Sequence, residues 1–320
     1  MALGFKVSFV ELWRQLTEAG YWLLPIVGMW LPLYMMNALS WRVIICGSGD
    51  CNISYLRLLK VTISAFALNY ATPVGLLGGE PYKILEVKDS IGAERASSSV
   101  LLFAMMHVFS HFWYWLTAVA LYVLFLPVGV VEGTLLSLIT IFCVAGVYLF
   151  VKGYRNGMVM NVFRLLHHLP WMGAWARRFS EKNADRLADI DAQIAALHAQ
   201  QRRSFYVSFL LEYVGRVLQS FEIFFMLMLF SKAEASPMTF VHAFVILAFT
   251  SLFANMLFFI PLQMGGREGG FAMTVADMGF NGQTAMSVSL LCRVRELFWV
   301  AIGMLLIKVG NKPPTPSTKR

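Results

Sequence analysis

The sequence predicts an all-α polytopic membrane protein with about seven to eight transmembrane helices. Apolar residues make up 58% of its 320 residues and charged residues only 14%. The mean hydropathy is +0.64. A soluble domain is nearer one quarter charged, so most of this chain is built to face lipid or other apolar helices. A further observation is that each half contains one helix broken by proline and paired glycines, ending on a glutamate.

The chain reads as a single membrane domain, 1–320. Residues 1–151 are the first half, 152–203 a basic connection, 204–310 the second half and 311–320 a tail. Residues 5–19 alternate apolar and charged positions at helical spacing and are expected to lie in the interface. Glu11, Arg14 and Glu18 precede any long apolar run, so no cleavable signal peptide is expected. The first span, 21–41, carries Tyr21, Trp22, Trp30 and Trp41 as expected interfacial anchors. A loop with Cys46 and Cys51 leads to the second span, 55–72. Those two cysteines close a short disulfide if the loop faces an oxidising compartment, and otherwise stand as two thiols. Cys143 lies in an apolar run, where a thiol behaves as a small hydrophobe, and Cys292 sits next to Arg293, a neighbour able to tune a thiol.

After a polar connection at 83–98 come a third span, 99–126, and a fourth, 134–151. Residues 152–203 hold nine Lys or Arg against four acids. The positive-inside rule therefore places this segment in the cytoplasm. Leu187, Ile190, Ile194 and Leu197 follow helical spacing within it, the pattern of an amphipathic helix. Asp189-Ile-Asp191 resembles a metal-binding pair in letters only and reads as a solvated helix face. The fifth and sixth spans cover 204–230 and 240–260, and a last one covers 285–308 before a basic tail. Counting crossings from the cytoplasmic loop places the polar ends of both broken motifs toward the cytoplasm. A cytoplasmic tail then requires 262–284 to cross as a half-helix pair, giving eight crossings, rather than dip and return, and the sequence leaves both open.

The first broken motif runs from Asn69 to Lys83 and contains Thr72, Pro73, Gly78, Gly79, Glu80 and Pro81. The second runs from 260 to 270 and contains Pro261, Gly265, Gly266, Arg267 and Glu268. In each, a glutamate follows a proline by seven residues with a Gly-Gly pair between. Proline removes a backbone donor and glycine opens left-handed turns, so neither helix continues through its motif. Broken backbone at membrane depth is tolerated where it is buried in protein or lines a wet cavity. Paired interruptions in corresponding halves point to a transport site at their interface.

Ionisable groups inside spans cost roughly 2.5–3.5 kcal/mol each on insertion scales. The fifth span carries Glu212, Arg216 and Glu222, and the last carries Arg293, Arg295 and Glu296. Mutual neutralisation of Glu212 with Arg216, and of Arg293 with Glu296, is one reading. The other is a polar pathway for a lipid headgroup. There a phosphate would sit at half-helix N-termini with Arg267, Arg293 and Arg295 adding bidentate contacts and Lys83 a weaker one. Glu80 and Glu268 would receive a cationic headgroup or a coupling proton. His107 and His111, one turn apart, read as hydrogen-bonded bundle histidines rather than metal ligands. Asn69 and Asn255 are expected to cap or bridge the freed backbone.

At these residues the chain resembles the lysylphosphatidylglycerol synthase transmembrane-region family of flippase-like proteins. Carrying the resemblance are Asn69, Thr72 and Pro73 followed by Gly78-Gly79-Glu80-Pro81, then Pro261, Gly265, Gly266 and Glu268, and an arginine in the last span. Lys83 stands where arginine is expected, and Gln263-Met264 replace the usual Pro-Gly. The resemblance covers about 10–310. It implies a multi-pass protein of the bacterial inner membrane that translocates a polar or charged-headgroup phospholipid, or a polyprenyl- or hopanoid-type lipid, between leaflets. The soluble synthase domain of some relatives has no counterpart in these residues, so a separate lipid-modifying enzyme is an expected partner.

No nucleotide-binding loop is present, no cofactor or metal is expected, and the net charge of +8 suits an anionic lipid surface rather than nucleic acid. The expected activity is therefore non-enzymatic. Its rivals are a membrane-embedded enzyme with Glu80 and Glu268 as acid and base, and an accessory subunit of a cell-envelope complex.

Overall fold

The computed structural model describes residues 19–72, 78–156, 173–182, 202–256 and 265–308, with isolated positions between 182 and 192 and at 17. The described residues form helices joined by short turns, with no strand among them. A 3-10 turn at Gly20–Trp22 leads into α1 (Leu23–Gly28) and α2 (Trp30–Gly47). Then follow α3 (Tyr55–Ala71), α4 (Gly79–Ile91), α5 (Ala93–Phe125), α6 (Val130–Asn156) and α7 (Gly173–Lys182). The second half holds α8 (Arg202–Phe230), α9 (Pro237–Met256), α10 (Gly266–Asp277) and α11 (Gly282–Lys308). Among the described residues, five segments are long and apolar enough to cross a membrane: Gly20–Gly47, Ala93–Phe125, Val130–Lys152, Arg203–Phe230 and Pro237–Met256. The interfacial helix expected at 5–19 and most of the stripe at 187–197 lie outside the described residues, as do 73–77 and 257–264.

Two helical hairpins organise the bundle. α4 folds back along α3: Gly79 N donates to Asn69 Oδ1 at 2.7 Å, and Arg57 Nη1 donates to Ser90 Oγ at 3.0 Å. α10 likewise folds back along α9, with the Thr250 and Thr274 hydroxyls 3.3 Å apart and His242 beside Phe280. The hairpins open at opposite ends of the bundle. At one end Arg95 ties the start of α5 to the 45–50 loop, donating to Ser48 Oγ at 2.8 Å and to Ile45 O at 2.7 Å. At the other, Tyr122 near the end of α5 donates to Asp277 at the end of α10, 2.9 Å away. α11 runs antiparallel to α3, so that Gly303 packs on Ile63 and Ala67 while Arg293 lies beside Tyr70.

Residues 55–91 begin and end at the same end of the bundle, and so do 237–281 at the other. α11 runs from that second end back to the first. Around that first end lie Arg57, Lys88, Arg95, Lys152, Arg203 and Lys308; the second has Lys232 with Glu132, Glu234 and Asp277. By the charge rule the first end is the one expected to face the cytoplasm. Cys46 and Cys51 are disulfide-bonded at that basic end, against the compartment rule that tied such a bond to an oxidising side.

The turn into α4 depends on glycine. A Cβ on Gly79 would strike the Ala65 carbonyl and approach Asn69 Oδ1 to 2.9 Å, and one on Gly78 would come within 2.7 Å of the Thr72 side chain. Gly79→Ala is therefore expected to cost about 1–3 kcal/mol, the range for overpacking against an unyielding neighbour. Thermal unfolding of the purified protein in detergent checks this; a melting temperature equal to wild type refutes it.

Candidate functional site

The second motif builds its helix start from Gly265 and Glu268. Gly265 has φ +85°, a left-handed backbone that glycine adopts without steric cost. Its N–H donates to Glu268 Oε2 at 2.8 Å, so Glu268 caps the helix from its own first turn. The other carboxylate oxygen of Glu268 receives Arg293 Nε at 3.1 Å and Nη2 at 2.8 Å. Arg293 also donates to Tyr70 Oη at 2.7 Å and reaches Glu296 at 3.4 Å. Glu296 in turn receives Tyr70 Oη and Arg267 Nη1. Tyr70 precedes the break in the first hairpin and Arg267 and Glu268 follow the break in the second. The two tips are thus joined through two side chains of α11.

Behind this junction the polar network becomes dry. Arg295 is 1% exposed and donates through Nε to Glu222 Oε1 at 2.8 Å, with Glu296 at 3.9 Å. Its guanidinium lies 3.9 Å from the centre of the Trp30 ring, and Trp30 Nε1 donates to Glu222 Oε2 at 2.9 Å. Three arginines (Arg267, Arg293, Arg295) face three glutamates (Glu222, Glu268, Glu296), so formal charge in the group cancels. Its accessible part is the Arg293–Glu268 pair, with side chains 21% and 22% exposed. Arg267 is nearly as open, at 17%.

A second group surrounds the first tip's helix. Glu80 pairs with Lys83 at 3.0 Å, and Lys83 Nζ sits 4.6 Å from the centre of the Phe103 ring. Glu212 receives His107 Nδ1 at 2.8 Å and, with the Asn37 amide nitrogen turned toward it, a further bond at 3.0 Å. Arg216 donates to Ser110 Oγ and to His107 O, both at 2.8 Å.

The structure thus divides the sequence-stated site residues between two places. Arg267, Glu268, Arg293, Arg295 and Glu296 come together; Glu80, Lys83, Glu212 and Arg216 belong to the second group. Gly78, Gly79, Gly265 and Gly266 shape the turns. Asn69 bridges the first break as expected, and Thr72 Oγ1 closes its own helix on Leu68 O at 2.9 Å. Several expectations change. Glu212 and Arg216 each take partners on other helices rather than forming a hydrogen-bonded pair with each other. Asn255 donates to Ser251 O within its own helix, and the break it was expected to bridge, 257–264, lies outside the described residues. Both helix starts hold an acceptor of the chain itself (Asn69 and Glu268), where a phosphate was expected.

Trp30 and Trp41, read as interfacial anchors, turn inward: Trp41 is fully buried and Trp30 covers Arg295. Tyr70 and Glu222 complete the junction but were not among the candidates. Tyr70 lies within the first motif and Glu222 shares a span with Glu212, so position alone was the available signal. Among the described residues no three His, Cys, Asp or Glu side chains cluster as metal ligands.

Residues 1–303 match the sequence model of the family described as Lysylphosphatidylglycerol synthase TM region. No curated protein and no solved structure is significantly similar to the chain.

Proposed function

The chain belongs to the lysylphosphatidylglycerol synthase TM region family, and from that premise we propose that it moves a polar or charged-headgroup lipid between the leaflets of the bacterial inner membrane. Both hairpins then enter the bilayer from opposite faces and return, and their tips meet partway through it. This is an arrangement in which broken helices face a substrate at the repeat interface. The single observation that carries the reading is the Arg293–Glu268 pair. It is about one-fifth exposed at the meeting of the two tips.

Opening that pair frees an arginine fork for a headgroup phosphate and a carboxylate for a headgroup amine. The lipid replaces one set of charge-assisted bonds with another, so the charges need not be exposed bare to the bilayer. No nucleotide hydrolysis and no covalent change to the lipid are part of the proposal. A separate lipid-modifying enzyme supplies the lipid.

A leaflet-resolved exchange assay tests this in vesicles of phosphatidylglycerol and phosphatidylethanolamine carrying wild type, Glu80→Gln or Glu268→Gln. Charge-assisted bonds contribute about 1.5–3 kcal/mol each, so Glu268→Gln is expected to slow exchange roughly tenfold to a hundredfold. Glu80→Gln acts through Lys83 and is expected to slow it less. Equal rates in wild type, both variants and empty vesicles would refute lipid movement. A lipid recovered with altered mass would replace translocation with an enzymatic reaction.

A further inference from the structure

We infer that His107 and Glu212 form a proton-binding site that couples proton movement to the lipid movement proposed above, a coupling that rests on that reading. His107 lies on α5 beside α2, α4 and α8, and 45% of its side chain is accessible. Its Nδ1 is held 2.8 Å from Glu212 Oε2. Glu212 is 1% exposed and also receives the Asn37 amide, so it acts there as an acceptor. Nδ1 therefore carries the hydrogen, and Nε2 offers its lone pair as the proton acceptor of the ring. A carboxylate behind an imidazole fixes the tautomer and stabilises the imidazolium once a proton arrives.

The surroundings make that proton count. α4 contributes Glu80 and Lys83, α8 contributes Glu212 and Arg216, and α2 contributes the uncharged Asn37. On α5 itself, His111 stands one turn on with its ring centre 5.4 Å from that of His107. α6 and α9 pack aromatic side chains, Phe150 and Phe244, against α5 at Phe109 and Tyr114. Two carboxylates and two bases cancel, so the protonation state of the imidazole decides the net charge of the group. His111 is stacked on Trp115, and its buried Nδ1 has no hydrogen-bond partner. Trp115 in turn donates to Ser251 near the end of α9, in the arm that leads to the second tip. A proton placed on His107 thus changes the charge beside the first hairpin, one stacked pair away from the second.

The experiment has two arms. In the first, the equilibrium leaflet ratio of a tail-labelled phosphatidylglycerol is measured in vesicles with and without a pH gradient. One proton per lipid makes the ratio follow the gradient about tenfold per pH unit, since one unit is worth about 1.36 kcal/mol. Wild type is expected to follow it and His107→Gln to give the same ratio with and without the gradient. In the second, nitrogen NMR of histidine-labelled protein in nanodiscs follows the His107 ring, identified by its loss in His107→Gln. The ring is expected to start as the Nδ1–H tautomer and gain a proton as pH is stepped from about 8 to 5. Glu212→Gln is expected to alter both the tautomer and the titration.

A wild-type ratio that ignores the gradient, or a His107→Gln ratio that follows it equally, overturns the coupling while leaving lipid movement standing. If wild type exchanges no lipid at all, the translocation reading falls and the coupling with it. The titration then decides the proton site alone, and a ring that stays uncharged throughout overturns it.

Discussion

Glu222→Ala is expected to destabilise the protein by about 3–5 kcal/mol, the cost of removing one partner of a buried ion pair. Arg295 is 1% exposed, so the guanidinium left behind has no route to water. Its next carboxylate is Glu296 at 3.9 Å, already engaged by Arg267 and Tyr70. Trp30 loses its acceptor at 2.9 Å in the same step. Glu222→Gln retains an acceptor for both and is expected to lose less. The double variant Glu222→Leu with Arg295→Met removes both charges and is expected to recover most of the loss, since apolar replacement of a buried pair is often neutral. Thermal unfolding of the three variants in one detergent checks the order. Wild-type stability in Glu222→Ala would refute the account of a dry ion pair.

Arg293→Ala is expected to slow lipid exchange by about a hundredfold while the protein remains folded. Arg293 touches both tips, through Tyr70 at 2.7 Å and Glu268 at 2.8 Å. Being about one-fifth exposed, it loses less on truncation than Arg295 does. Losing its charge-assisted bonds to Glu268, Tyr70 and Glu296, worth about 1.5–3 kcal/mol each, sets an upper scale, and much of that is regained by water. Arg293→Lys keeps the charge without the fork and is expected to fall between wild type and alanine, because an ammonium cannot make the paired contacts of a guanidinium. The vesicle assay measures the rates, and melting temperature shows whether loss of exchange is loss of fold. Exchange at the wild-type rate in Arg293→Ala would remove the tip junction from the transport path.

The same residues mark how far the sequence was legible. Pro73, Gly78-Gly79 and Gly265-Gly266 announced both breaks, because proline and glycine act on the backbone locally. Arg293, Arg295 and Glu296 announced themselves because charge in an apolar run is costly wherever the run lies. What each charge pairs with was not readable: Glu212 is one turn from Arg216 but bonds His107, 105 positions away. Trp30 has the composition of an interfacial anchor and instead covers Arg295, because only packing decides which face of a helix turns inward. The direction of α4 and α10 was equally hidden, since a break says where a helix ends and not which neighbour it then follows.

From its sequence alone this chain is a multi-spanning helical membrane protein with one interrupted helix in each half, because burial of apolar surface and backbone hydrogen bonding leave no other assignment for such a composition. Tertiary structure alone decided that the interruptions become hairpins open at opposite ends. It also decided that Tyr70, Glu268 and Arg293 meet between them and that His107 bonds Glu212. Those outcomes are contacts between residues up to 223 positions apart, set by how the helices pack rather than by any local pattern.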